Sequence, residues 1–335
     1  MRVAVVILNW NTVQYLRSFV PGVLQSLGSE DVLAVADSGS EDGSLDYLGQ
    51  NWPEVIRIPL GGNYGFAQGY NKALEQLAPL QAEYYLLLNS DVEVQQGWLE
   101  PLVDFMRSHP GCAVCGPKLH ALDKGPEGWV RTDRFEYAGA AGGLLDALGY
   151  PYCRGRVLKR VEQDRGQYDT LPSGVAWVTG AALMIRRSVW EQLGGFDGEF
   201  FAHMEEIDLC WRAQLLGWSV DVVPQSLVWH IGGGTLPQES PFKLKLNFRN
   251  SLWMLRRNLP ATVGPARAFL KLTARRLLDW GSALAYLLGG HPDFAGAVVQ
   301  AHREAARRKV EPQKCSGPRP RVLSGKLILL NFLKK

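Results

Sequence analysis

Four short apolar runs, VAVVIL (3–8), VLAVA (32–36), VIRIPL (55–60) and YYLLL (84–88), each break off directly onto a polar or glycine-rich segment. Those segments are Asn9-Trp10-Asn11, Asp37-Ser38-Gly39-Ser40, Gly61-Gly62-Asn63 and Asn89-Ser90-Asp91. Runs of this length, separated by helix-compatible stretches, read as strands of a mostly parallel sheet with crossover helices. In such an open sheet the ligand crevice lies outside the carboxyl ends of the strands, so the four segments are expected to converge on one site.

With 335 residues, 46% of them hydrophobic and 21% charged, the chain can bury a large core and suits two or three structural units. The run Val3 to Leu8 is too short for a signal-peptide core, and Trp280 to Gly290 falls short of the roughly 20 residues that a membrane-spanning helix requires. Neither export nor a membrane span is expected. The five cysteines, Cys112, Cys115, Cys153, Cys210 and Cys315, are odd in number and sparse, which fits a reducing compartment rather than a disulfide framework. Cys112 and Cys115 have the spacing of half a zinc or redox site. With no second pair and no nearby histidine at ligand spacing, they read as small apolar strand residues.

The formal net charge of +3 conceals a division. Residues 1–240 carry 17 basic and 29 acidic residues, a balance of −12, whereas residues 241–335 carry 19 and 4, a balance of +15. Two parts of opposite sign imply two different partners. Lys243 to Arg276 includes nine basic residues and no acid, with Phe, Leu and Trp interleaved, a composition suited to an anionic membrane surface or a phosphate-bearing ligand and less to nucleic acid. The alternative is a set of helices with solvated basic faces. On the first reading Lys243, Lys245, Arg249, Arg256, Arg257, Lys271, Arg275 and Arg276 meet the surface, while Phe242, Leu252, Trp253 and Leu255 insert.

Several residues carry candidate chemistry. Asp91, presented at an exposed strand end, could hold Mg²⁺ or Mn²⁺, which prefer oxygen ligands and near a diphosphate take one or two protein groups; alternatively it caps a turn. His230, trailed by Gly232-Gly233-Gly234, could share that ion or be a structural histidine. In EEIDLCWRAQLLGW (205–218) the acids also complement a helix N-terminus. Asp208 stands four residues before Arg212, a surface ion-pair spacing, beside a buried stripe of Ile207, Trp211, Leu215 and Trp218. Glu206, at the edge of that stripe and without a cation at helical spacing, best fits a partly desolvated carboxylate that takes a proton near neutral pH. Asp37 could accept the imide N–H of uracil or thymine, or close an Asx turn. The glycines of 61–69 allow backbone to approach a ribose or phosphate.

Taken in order, VVILNWN (5–11), DSGSEDGS (37–44), GGNYGFAQGYN (61–71), LLLNSDVEV (86–94), WVTGAALMIRR (177–187), GGFDGEFFAHMEEIDLCWRA (194–213) and VWHIGGGT (228–235) resemble the family 2 glycosyltransferases. The likeness is greatest to the rhamnosyltransferase-like branch of bacterial polysaccharide synthesis and extends from about Val3 to about Asn250. It implies the α/β GT-A fold, a Rossmann-like mixed sheet flanked by helices, followed by a helical basic C-terminal region. With the lack of clear periodicity over 121–170 and the charge division above, the expected layout is a nucleotide-sugar-binding half (1–120), a loop-rich insertion (121–170), an acceptor and catalytic half (171–240) and a membrane-associating region (241–335).

The same resemblance implies that Asp37 holds the nucleotide base and that Asp91 and His230 bind a divalent cation, Mg²⁺ or Mn²⁺, with Asn89 departing from the fully acidic Asp-x-Asp. The base is implied to be the second acid of Glu205-Glu206, where the family has Glu-Asp. Asn9, Asn11, Ser38, Gly39, Asn63, Gly65, Phe66, Asn71, Asn89, Thr179 and Gly180 are the remaining expected donor contacts. The implied reaction is an inverting single displacement that moves rhamnose or a hexose from a dTDP or UDP donor to a glycan or lipid-linked acceptor at the cytoplasmic face of a membrane. A nucleotidyltransferase would need a glycine-rich phosphate loop with Arg or Lys directly after the first strand, which Asn9-Trp10-Asn11 does not supply. A catalytically degenerate homologue that only binds nucleotide sugar is the other alternative.

Overall fold

The first apolar run forms β1 (Val3–Asn9), whose side chains are buried alternately on two faces, Val3, Val5 and Ile7 in one core and Ala4 and Val6 in another. A strand covered on both faces needs no polar side, which explains the unbroken apolar run. In the computed structural model, residues 1–126, 128–136, 139–157, 160–170, 174–232, 240–317, 319–320 and 322–327 are described.

β1 pairs in parallel with β2 (Val32–Asp37) on one side and with β4 (Tyr84–Asn89) on the other, while β3 (Ile56–Pro59) extends the parallel set beyond β2. The helices α1 (Val13–Gln25), α2 (Ser44–Asn51) and α3 (Gly65–Leu77) connect these strands. Beyond β4 the sheet becomes mixed. Two further strands, β5 (Val92–Val94) and β6 (Cys112–Gly125), flank α4 (Leu99–Ser108); β12 (Ala182–Arg186) lies antiparallel between β4 and β6, and β13 (Ser219–His230) runs parallel to β6 and antiparallel to β5. The order is β3-β2-β1-β4-β12-β6-β13-β5. Consecutive connections leave β1 in opposite directions, which opens a crevice between its end and that of β4.

Residues 121–170, expected to be loop-rich, hold much strand. β6 continues to Gly125 and pairs with β7 (Gly128–Phe135), and β8 (Gly143–Leu145), β9 (Pro151–Cys153), β10 (Arg156–Val157) and β11 (Arg160–Val161) form a small antiparallel sheet. Strands of two or three residues are too short to display alternation, so no sequence period marks them. Cys112 and Cys115 are buried strand residues of β6, and burial pushes the Cys112 thiol up to about 12. The five cysteines are free.

After β12 come α5 (Arg187–Leu193) and α6 (Glu205–Leu215), and the chain ends in α7 (Pro241–Val263), α8 (Pro265–Leu288) and α9 (Pro292–Arg307). Two expectations are corrected here. Asp208 and Arg212 do pair, at 2.7 Å, but in the interior, because α7 covers α6 and brings Arg257 and Asn258 to the same carboxylate. Leu252, Trp253 and Leu255, expected to insert into a membrane, pack into the main core, and Lys245, Arg249, Arg257 and Arg275 pair with Glu304, Asp197, Asp208 and Asp279. Of the expected inserting residues only Phe242 remains exposed. No helix among the described residues is long and apolar enough to cross a membrane.

Candidate active site

The four strand-end segments meet at a cavity of about 460 Å³. Asn9 and Trp10 follow β1, Ser38 follows β2, Asn63 follows β3, and Asn89, Ser90 and Asp91 follow β4; Thr179, Gly180, Glu205, Glu206 and His230 face them. Two loop contacts set this wall. Gly39 (φ +79°) passes so close to Gly62 that a side chain carbon would lie 3.2 Å from the Gly62 Cα, and Gly65 (φ +73°) packs against Phe201. Gly180 similarly leaves room for the Phe66 ring.

Asp37 lies beneath the wall. Its Oδ1 accepts the N–H groups of Gly39 (3.1 Å) and Ser40 (2.8 Å), an Asx turn, and its Oδ2 accepts Asn9 Nδ2 at 2.7 Å. Asn11 is exposed (φ +52°) and ties the same loop down, accepting the Glu41 N–H on its Oδ1. Asn71, expected at the donor, instead makes a two-way clamp with the Phe196 backbone, its Nδ2 donating at 2.9 Å and its Oδ1 accepting at 3.0 Å. Asn11, Asp37, Gly39 and Asn71 therefore shape the site from outside the cavity surface, while the other expected donor contacts line it.

Asp91 is not exposed. It is 5% accessible, and its Oδ1 lies 3.2 Å from Nε2 of His230, which Asn89 Nδ2 also approaches at 3.5 Å. The other ring nitrogen, Nδ1, lies 3.5 Å from Oε2 of Glu136, a buried residue in the aperiodic stretch after β7 that carries no sequence signal of a role. Burial opposes a charge on His230, yet the two carboxylates hold its pKa well above the usual histidine range. A cation on Nε2 would take the place of that proton. Two ligands at about 2.1 Å in adjacent octahedral positions stand about 3.0 Å apart, so the Asp91–His230 spacing fits a shared Mg²⁺ or Mn²⁺. Among the described residues no group of three His, Cys, Asp or Glu is placed to hold a metal by itself, so oxygens from a ligand or water must complete the shell. Gly233 and Gly234, expected to leave space beside His230, lie outside the described residues.

The acids of α6 stand on an unusual turn. Phe201, His203 and Met204 all have positive φ (65°, 71° and 74°), a conformation that costs non-glycine residues of order 1–3 kcal/mol each and persists only where surroundings enforce it. Asn250 of α7 enforces it: its Nδ2 reaches the carbonyls of Phe200, Ala202 and His203 at 2.8–2.9 Å. The turn delivers Glu205 and Glu206 to the cavity, each with an Oε2 that is out of solvent and has no hydrogen-bond partner among the described residues. Burial pushes the Glu206 carboxyl up to about 7, and burial with the neighbouring Glu206 holds Glu205 well above the ordinary range. Lys243, at the start of α7, also lines the cavity, and burial lowers its pKa.

Residues 1–252 match the family described as Glycosyltransferase like family 2. A Mycobacterium tuberculosis protein named N-acetylglucosaminyl-diphospho-decaprenol L-rhamnosyltransferase is 31% identical over 216 residues, which cover 61% of this chain and 68% of the relative. The rhamnosyltransferase WbbL of Escherichia coli is 25% identical over 170 residues, covering 49% and 60% respectively. Among solved structures, GalNAc-T7 with UDP, GalNAc and Mn²⁺ superposes with a TM-score of 0.56 at 17% identity, covering 76% of this chain and 48% of that one. Staphylococcus aureus TarS 1–349 with UDP gives 0.55 at 17% identity, covering 90% and 81%. These structural likenesses bear on the fold, the sequence match on the lineage, and together they establish that the chain belongs to glycosyltransferase family 2, has the GT-A fold and is a glycosyltransferase related to rhamnosyltransferases.

Proposed function

We propose that this enzyme is an inverting, divalent-cation-dependent transferase that moves rhamnose or a hexose from a dTDP- or UDP-linked donor to a hydroxyl of a glycan or lipid-linked acceptor in cell-surface polysaccharide synthesis. The observation that carries this reading is a single cavity that holds both the Asp91–His230 pair and the partly desolvated Glu205-Glu206 pair. Asp37, beneath the wall, accepts from Asn9, Gly39 and Ser40 and so orders the loop against which the uracil or thymine ring rests. Asn9, Ser38, Asn63 and Gly65 line the nucleotide side, and Thr179 and Gly180 the sugar side.

A cation on Asp91 and His230 supplies charge neutralisation at the departing diphosphate. Glu206 accepts the acceptor hydroxyl proton as that oxygen bonds to the anomeric carbon and the bond to the diphosphate breaks on the opposite face, which inverts the centre. Burial raises both carboxyls and the neighbouring Glu206 charge raises Glu205 further, which supports Glu206 as the base. The lipid-linked substrate in the name of the M. tuberculosis relative supports a site of action at a membrane surface, and the basic balance of residues 241–335 supports an anionic leaflet, which we place at the cytoplasmic face.

The test is transfer from dTDP-rhamnose and UDP-hexoses to a polyprenyl-diphosphate N-acetylglucosamine acceptor with Mn²⁺ or with chelator, the product's anomeric configuration being read by NMR. Retention of configuration, or full activity in chelator, overturns the mechanism.

A further inference from the structure

α8 is inside out for a surface helix. Its inward face holds Arg275 and Asp279 with Ala268 and Ala283, whereas Phe269, Leu270, Leu277, Trp280, Leu284 and Leu288 point outward, from 46% exposed for Trp280 to 79% for Leu288. An ordinary amphipathic helix does the opposite. The inward polar groups pair with one another and with neighbouring elements: Arg275 donates to Asp279 and Ser251 and lies 3.5 Å from the Tyr150 ring centre, and Asp279 also meets His302 at 3.1 Å. The outward stripe runs for about 28 Å along the helix at 1.5 Å per residue. A stripe of that size on a surface marks contact with another apolar phase.

Beside this stripe lies a groove of about 410 Å³ lined by Arg256, Arg276 and Arg303, with Trp280 common to both features. Among the described residues no acid pairs with any of the three arginines. Burial, together with the nearby Arg276 charge, lowers the pKa of Arg256, as expected of guanidinium groups gathered without a counter-ion. Such a cluster beside apolar side chains has the chemistry of a phosphate-headgroup site at a lipid interface.

We infer that the outward face of α8 and the Arg256–Arg276–Arg303 groove form the seat by which the enzyme docks on an anionic lipid leaflet, the apolar stripe entering the interface and the arginines taking headgroup phosphates. This deepens the membrane-surface reading above and is independent of which sugar is transferred. A second copy is disfavoured as the occupant because a two-fold contact through this face would oppose two arginine clusters, and residues 241–335 carry +15 in each copy. The seat also leads toward the active site. Gly264 alone separates α7 from α8, and the Arg275–Ser251 bond sets the helices antiparallel, so the last turns of α8 run back toward Phe242 and Lys243 at the cavity.

The test uses the full chain and its variants Leu277→Glu/Leu284→Glu and Arg276→Glu/Arg303→Glu, sedimented with vesicles of phosphatidylglycerol and phosphatidylcholine or of phosphatidylcholine alone. All four positions are exposed, so both variants should fold, as circular dichroism will show. The wild type should sediment with the anionic vesicles and be released by salt, and each variant should bind at least about tenfold more weakly. Inorganic phosphate alone should not reproduce the vesicle affinity, because it cannot engage the stripe. Hydrolysis of the soluble nucleotide sugar should be unchanged in both variants, so loss of docking and failure of the glycosyl-transfer reading are separable. Failure of the wild type to bind anionic vesicles overturns the seat. So does undiminished binding by the variants, or a wild-type dimer that Leu277→Glu/Leu284→Glu makes monomeric with vesicle binding intact.

Discussion

Asn250 Nδ2, in the middle of α7, donates to the carbonyl of His203 at 2.8 Å, within the turn that launches α6. The same nitrogen is within 2.9 Å of the carbonyls of Phe200 and Ala202, and Arg249 Nε donates to the Asn250 amide oxygen at 2.9 Å, which fixes the orientation of the side chain. A helix well separated in sequence from α6 thus holds the backbone that presents Glu205 and Glu206. Asn250→Ala leaves buried carbonyls without a donor and should cost about 1–3 kcal/mol, measured by chemical denaturation. Asn250→Asp, which cannot donate and places a charge among those carbonyls, should be worse, and both should lower kcat more than they raise the donor KM.

Asp91→Asn keeps the shape of the side chain but weakens a metal ligand. It should abolish the rise in Tm that Mn²⁺ and a nucleoside diphosphate produce together in the wild type, and with it the metal-dependent activity. His230→Ala should behave alike. A normal Mn²⁺-dependent shift in either variant would exclude these residues as the ligands.

Glu206 must be ionised to accept a proton. Activity should therefore rise with pH through the region near 7, where burial has placed its pKa, and level off above it. Glu206→Gln should lower turnover by about 10²- to 10⁴-fold and remove this limb from the pH profile, with little change in donor affinity. Glu205→Gln should keep the limb. A Glu205→Gln variant more damaged than Glu206→Gln would reverse the assignment.

Asp208 should be a stability residue. Its carboxylate is fully buried between Arg212, Arg257 and Asn258, and removing one member of such a network leaves buried charge uncompensated. Asp208→Ala should cost about 3–5 kcal/mol in denaturant unfolding.

Chain-local chemistry determined the strands whose ends wall the cavity and the helix that opens on Glu205 and Glu206. Apolar runs that break off onto polar or glycine-rich segments identify β1, β2 and β4, which are covered on both faces, and β3, an edge strand whose run admits the exposed Arg57, and these runs needed no knowledge of their neighbours. The order of those segments was also enough to indicate the family. What surrounds a side chain is another matter, since it depends on residues far away in the chain. Asp208 reads as a surface acid until α7 covers it, and Leu252, Trp253 and Leu255 read as membrane anchors until they join the core. Glu136 has no periodic context, yet folding carries it to His230. In α8 the balance of apolar and basic residues was visible from the start, but only the packing of Arg275 and Asp279 inward against Ser251, Tyr150 and His302 decided that the leucines face out. A helix can bury either face, and the choice falls to whichever partners the tertiary fold sets against it.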